Sequence, residues 1–301
     1  MSGGPIYITD EPGHHNVDLI SQMTAQTIRD QTVILRPSVI GRSTQAYISF
    51  EEERLVKVGA YNGSSGTGTA FIGFFNCRNE GITEVVAVSE VIGAEAMKDG
   101  LVVRSHRTGA CSPILSVANH DVFAIQVEGR GYDVLSATPV FYAKEMGELY
   151  AADLGLIGKM TGGAAIVFNT HYSVRPGVSS SSNGTNDHYD AATTAGLTTK
   201  FSSGKKHLTI KTTLKALGTW GIYFLLPPKH SIDIDADLLV LLNGRIVPRH
   251  CVRLVSGKGV DGAGEGGQGV VLEVDIARAW KEGEFVVGWG NEVDVAVFLS
   301  L

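Results

Sequence analysis

Apolar and polar positions alternate along much of the chain with a period of two, the signature of half-buried strands. The clearest run is 207–215, where Leu208, Ile210, Thr212 and Leu214 alternate with Thr209, Lys211, Thr213 and Lys215. Strands are predicted at 55–58, 70–77, 84–92, 101–105, 121–128 and 132–142, and again at 237–242, 245–247, 270–274, 285–289 and 293–299. Asn243-Gly244 separates two of these runs and signals a two-residue hairpin turn, because both residues tolerate positive φ. Helical spacing is confined to 17–30, where Val17, Leu19, Ile20, Met23 and Ile28 partly share one face and Asn16 can act as N-cap. Ahead of it, Ile6-Tyr7-Ile8 reads as a short strand, followed by Asp10 and a Pro12-Gly13 turn, so the chain opens on a βα unit. Short strands separated by turn residues predict a mainly β protein whose bulk is an antiparallel β-sandwich.

Composition narrows the function classes. Hydrophobic residues make up 44% of 301, enough for a sizeable core, and no apolar run reaches the length of a membrane-spanning helix. A net charge of −6 without a basic stripe argues against nucleic-acid binding, since phosphates need cations to neutralise them. Cys77, Cys111 and Cys251 are odd in number and widely spaced, which predicts reduced thiols in a cytoplasmic protein and neither a disulfide framework nor a CxxC metal site. No basic region followed by an apolar one opens the chain, as a secretory leader would require. The sequons Asn62-Gly-Ser64 and Asn183-Gly-Thr185 would matter only in a secreted protein. Residues 173–204 are rich in small polar residues and read as a flexible insertion.

Several chemistry-bearing residues have structural readings beside the functional ones. Adjacent His14 and His15 cannot easily converge on one ion, and no neighbouring residues have zinc spacing, so no metal site is expected. Gly264-Glu-Gly-Gly-Gln-Gly269 matches GxGxxG in letters, but it precedes a strand and opens no helix, so it reads as a hairpin loop without a nucleotide. Asp187-His188 and Asp190 lie in the polar insertion and read as solvated loop. Trp220, Trp280 and Trp289 could stack on sugar faces, although an aromatic in an alternating strand more often faces the core. Asp10 could bind sugar hydroxyls at the end of a strand, or simply accept backbone N–H bonds in the turn before Pro12. Gly3 and Gly4 could permit close approach of substrate or merely of neighbouring backbone.

The opening Ser2-Gly-Gly-Pro-Ile-Tyr-Ile-Thr-Asp-Glu-Pro-Gly-His-His-Asn16 closely resembles a stretch of the raffinose synthase and alkaline α-galactosidase (seed imbibition protein) branch of glycoside hydrolase family 36. Arg36-Pro-Ser-Val-Ile-Gly-Arg-Ser-Thr44 is similar to a further segment of that family, with Ser43 in place of the usual proline. Leu55-Val-Lys-Val58, Gly73-Phe-Phe-Asn-Cys77, Leu156–Ile166 and Leu217-Gly-Thr-Trp-Gly-Ile-Tyr223 resemble other family segments in the same order. In the family the opening stretch lies late in a (β/α)8 barrel, which implies that residues 1–30 are a terminal βα remnant of that barrel and 31–301 the β-sandwich region after it. The resemblance also implies α-galactoside substrates of the raffinose, galactinol and melibiose class. It implies a retaining double displacement by two aspartates, and no metal or organic cofactor. The family's Lys-Val-Asp and Arg-x-Ser-Asp-Asp motifs do not occur here, so no catalytic residue is assigned to this chain; Asp10, Gly3 and Gly4 are the candidate substrate contacts. The alternatives are a non-catalytic carbohydrate-binding sandwich and a purely structural β-protein.

Overall fold

The computed structural model describes residues 10–45, 47–49, 51–174, 207–228, 230–256, 268–285 and 290–300. Helix α1 (Val17–Met23) is capped by Asn16, whose Oδ1 accepts Leu19 N–H at 2.9 Å, and it is shorter than predicted. At Thr24 the chain becomes extended: β1 (Thr24–Gln26) pairs antiparallel with β2 (Thr32–Ile34). The expected helix to residue 30 fails because its apolar spacing lapses after Met23, while Thr24 and Thr27, stiff at χ1, favour extended backbone. Asp30 turns the hairpin with φ of 56°.

The rest of the described chain is β-rich and holds two large hydrophobic cores and two smaller clusters. The first lies between a five-stranded sheet and a two-stranded one. The larger sheet has the order β3 (Val39–Ser43), β4 (Val56–Asn62), β5 (Thr69–Phe75), β9 (Tyr132–Pro139), β7 (Leu101–Ser105). The smaller pairs β6 (Ile82–Ala87) with β8 (Val122–Val127). Leu55, Ile72, Phe74, Val86, Leu101, Val127 and Leu135 fill the space between them.

The second core is a true sandwich. One sheet has the order β10 (Phe141–Ala143), β11 (Leu149–Ile157), β14 (Thr219–Leu226), β18 (Gln268–Asp275), β17 (Val252–Ser256). Its partner has the order β12 (Ile166–Val174), β13 (His207–Leu214), β19 (Val293–Ser300), β15 (Leu238–Leu242), β16 (Arg245–Ile246). Ala151, Trp220, Ile222 and Phe224 of the first sheet meet Leu208, Ile210, Val240 and Val297 of the second. Ala25, Ile28 and Leu35 join this core, so the segment after α1 is part of the sandwich packing.

The opposite face of β11 and β14 is buried as well. Ala152, Leu154 and Tyr223 pack with Val102, Cys111 and Val140 from the first unit. A sheet covered on both faces needs apolar residues at every position, and for that reason β11 and β14 show no alternation. A bulge at Asp153–Gly155 interrupts β11 against β14. It leaves the Asp153 carboxylate inside the sandwich, where Thr212 Oγ1 (2.6 Å), Trp220 Nε1 (2.8 Å) and Gly155 N–H (3.1 Å) donate to it. Such full satisfaction is what allows a carboxylate that is 1% exposed to persist in an apolar core.

Strands predicted at 101–105, 207–215, 237–242 and 293–299 coincide closely with β7, β13, β15 and β19. Val88–Glu90, expected as strand, is a 3-10 turn, closed by Glu90 Oε1 accepting Ala87 N–H at 3.2 Å. Asn243 (φ 45°) and Gly244 (φ 78°) form the expected hairpin turn between β15 and β16. Two further short helices, α2 (Ile234–Asp237) and α3 (Ile276–Glu282), were not predicted; Asp233 and Asp275 cap them. The strand at 6–8, nearly all of the 173–204 insertion and four residues of the strand at 285–289 lie outside the described residues.

Candidate functional site

The first core opens at one end into a cavity of about 420 Å³ between β7, β9 and β8. Because side chains two apart on a strand share a face, Val103 and Ser105 of β7 and Asp133 and Leu135 of β9 line it together. Phe123, Ile125, Gln126 and Glu128 form the wall across from them. Arg107 and Thr108 come from a loop that folds back onto β7, with Ser112 N–H donating to Val103 O at 2.8 Å.

Asp133 is the fixed point of this cavity. Its Oδ1 accepts Val134 N–H (2.8 Å) and Arg107 N–H (3.2 Å), and its Oδ2 accepts the Ser105 hydroxyl (2.6 Å). Three donors hold the carboxylate rigidly and leave a lone pair of Oδ2 uncommitted. One cation, Arg107, faces two carboxylates, Glu128 and Asp133, so the cavity has no positive excess with which to bind phosphate. An apolar floor, a half-buried phenyl ring and neutral hydrogen-bonding groups suit an uncharged polyhydroxylated ligand.

Asp10, the expected substrate contact, is exposed ahead of α1. Its Oδ2 accepts Asn16 N–H at 3.0 Å and lies 4.0 Å from His15 Nδ1, closing the turn before α1. Gly3 and Gly4 lie outside the described residues. His14 sits beside Glu11 at 3.5 Å on the surface. Trp220 is fully buried and bonded to Asp153, and Trp280 stacks on Phe285 at 4.7 Å, so neither offers a free sugar platform; Trp289 is outside the described residues. Asn62, a sequon residue, donates through Nδ2 to Gly163 O at 3.1 Å and accepts Ser38 N–H, so its amide ties β4 to the sandwich.

The segment around α1 is docked between both units. Lys159 Nζ donates to Ser21 O (2.6 Å), Met160 N–H to Gln22 O (2.9 Å) and Thr161 Oγ1 to Leu35 O (2.8 Å). His106 Nε2 donates to Gln22 Oε1 at 2.8 Å, and burial lowers this imidazole's pKa. On the same segment α1 contributes no buried residue and Val17 is exposed; further along, Ile40 of β3 and Tyr47 after it are exposed too, Tyr47 almost completely at 98%.

Lys57 on β4 is 2% exposed and bonded to Glu84 Oε1 (2.6 Å) and Glu90 Oε2 (2.8 Å). Burial alone would lower its pKa, but the two carboxylates outweigh burial and raise it. A further cluster was not predicted: His250, Cys251 and Glu282 place three possible ligand atoms within 4.8 Å of one another. Thirty residues separate Cys251 from Glu282 in sequence, so no ligand spacing announces the cluster.

These features define a mainly β protein, with a sandwich and, in the unit beside it, a cavity lined by apolar, hydroxyl and charged side chains. Residues 1–92 match the family described as raffinose synthase or seed imbibition protein Sip1, which bears out the resemblance over that segment and makes it raffinose synthase-like. The matched region ends beyond β6 and contains Asp10, Lys57, Asn62 and Gly73. A comparison with curated proteins finds no match. Among the described residues no helix is long and apolar enough to cross a membrane.

Proposed function

We propose that this chain is the β-sandwich portion of a raffinose synthase-like protein acting on α-galactosides, with the two catalytic aspartates of a retaining mechanism absent from its sequence. The observation that carries this reading is the family match over residues 1–92. In a retaining reaction one carboxylate attacks the anomeric carbon and a second serves as acid, then base. Neither family motif that would supply these groups occurs in the 301 residues. The exposure of α1, which contributes no buried residue and leaves Val17 uncovered, supports a role for that segment as the face on which a catalytic barrel rests. This chain would then position that barrel and hold sugar, rather than cleave it.

A second reading, non-catalytic carbohydrate binding, is favoured by the cavity beside Asp133. Its expected ligands are raffinose, galactinol and melibiose, with Phe123 packing on a sugar face and Asp133 and Gln126 meeting hydroxyls. Saturation-transfer NMR with each sugar tests it, with sucrose as the control that lacks a galactosyl group. Binding of the galactosides that weakens roughly tenfold in Phe123→Ala, a loss of about 1.4 kcal/mol, is the expected result. Equal binding of sucrose, or indifference to Phe123→Ala, would remove the cavity from the account.

A further inference from the structure

We infer that His250, Cys251 and Glu282 form a binding site for a divalent cation of the zinc type. The short 3-10 turn Arg249–Cys251 presents His250 at the surface and Cys251 inward, while Glu282 ends α3 beside them. Imidazole nitrogen, thiol sulfur and carboxylate oxygen converge within 4.8 Å, and this mixed set suits a borderline-soft ion better than magnesium or calcium, which prefer all-oxygen cages.

Tetrahedral zinc with bonds of about 2.0–2.3 Å needs donors roughly 3.3–3.7 Å apart. His250 Nε2 and Glu282 Oε2 are 2.6 Å apart, joined by a proton, and must separate slightly to admit the ion. Both side chains are partly exposed, at 52% and 37%, so this adjustment meets no packed core. Cys251 is 3% exposed and supplies the inner, fixed donor. Arg278 Nε holds the other oxygen of Glu282, Oε1, at 2.8 Å. That contact orients the carboxylate from behind, as an outer-shell partner does, and leaves Oε2 directed at His250. On binding, the ion displaces the thiol proton and the proton shared by His250 and Glu282, both released to solvent, and water fills the fourth position. The site is remote in kind from the galactosyl chemistry and stands whether or not that reading holds.

Cobalt(II) titration of the full chain reads the site directly, because a thiolate–cobalt bond gives a near-ultraviolet charge-transfer band that oxygen and nitrogen donors alone do not. The expected result is a band saturating at one equivalent, displaced by zinc, absent in Cys251→Ser and weakened at least tenfold in affinity in His250→Ala and Glu282→Gln. The two surface variants keep the test decisive should Cys251→Ser fail to fold. No band, or one unchanged by His250→Ala and Glu282→Gln, as half-buried Cys77 would give, overturns the assignment.

Discussion

Replacing Lys57 with methionine keeps most of the side-chain volume and removes one ammonium from between two carboxylates. Glu84 Oε1 at 2.6 Å and Glu90 Oε2 at 2.8 Å then face a site with no counter-charge. Each carboxylate is also fixed by backbone: Glu84 Oε2 accepts Leu55 N–H, and Glu90 Oε1 accepts Ala87 N–H. They cannot simply swing into water without losing those bonds. Breaking a buried ion pair from one side costs about 3–5 kcal/mol. Glu90 is 39% exposed and partly screened, which places Lys57→Met near the lower end, at about 3 kcal/mol. For a urea slope of about 3 kcal/mol/M this lowers the unfolding midpoint by roughly 1 M. Adding Glu84→Gln should recover part of the loss, giving a coupling of at least about 1 kcal/mol in the double-mutant cycle. The ammonium's pKa is raised in the folded state, so its contribution is complete below the unfolded lysine value and fades as pH climbs through the folded one. Wild type should therefore lose its advantage over Lys57→Met only in strongly alkaline solution. A Lys57→Met stability within about 0.5 kcal/mol of wild type, or strict additivity with Glu84→Gln, would refute this account of the triad.

Two other outcomes follow from the packing. A Cβ at Gly162 would run into the Leu156 carbonyl oxygen, so Gly162→Ala should cost about 3 kcal/mol by urea unfolding, and a neutral result would mean the β11 loop packs differently. Burial pushes the Cys111 thiol up to about 11 and also raises Cys251, whereas Cys77 is half-buried. A thiol reagent at pH 8 should accordingly modify Cys77 well before the other two, as mass mapping would report; Cys111 reacting first would contradict the packing around Val102 and Tyr223.

Much of the fold was legible because one-face burial leaves a period-two trace, as in β13, and because Asn243-Gly244 names its own turn type. Where both faces are buried the trace vanishes: β11 and β14 carry apolar residues at nearly every position and gave no alternation to read. The helix was overextended because Ile28, counted on its face, belongs instead to the sandwich core. Asp10 accepts the Asn16 N–H, a turn contact of the kind an aspartate before Pro12 invites. The cavity has no sequence signature because its polar groups are scattered from Ser105 to Asp133 and converge only when β7 pairs with β9. The His250–Cys251–Glu282 cluster escaped for the same reason, its parts joined by α3 packing beside the 249–251 turn.

The central claim is that this chain handles α-galactosides without carrying the carboxylates that cleave them. Release of nitrophenol from an aryl α-galactoside, with galactinol plus sucrose as a transfer assay, tests it on the purified 301-residue protein. The account predicts no turnover above the uncatalysed rate in either assay. Retaining turnover that disappears in Glu128→Gln or Asp133→Asn would contradict it and move the catalytic pair into the cavity.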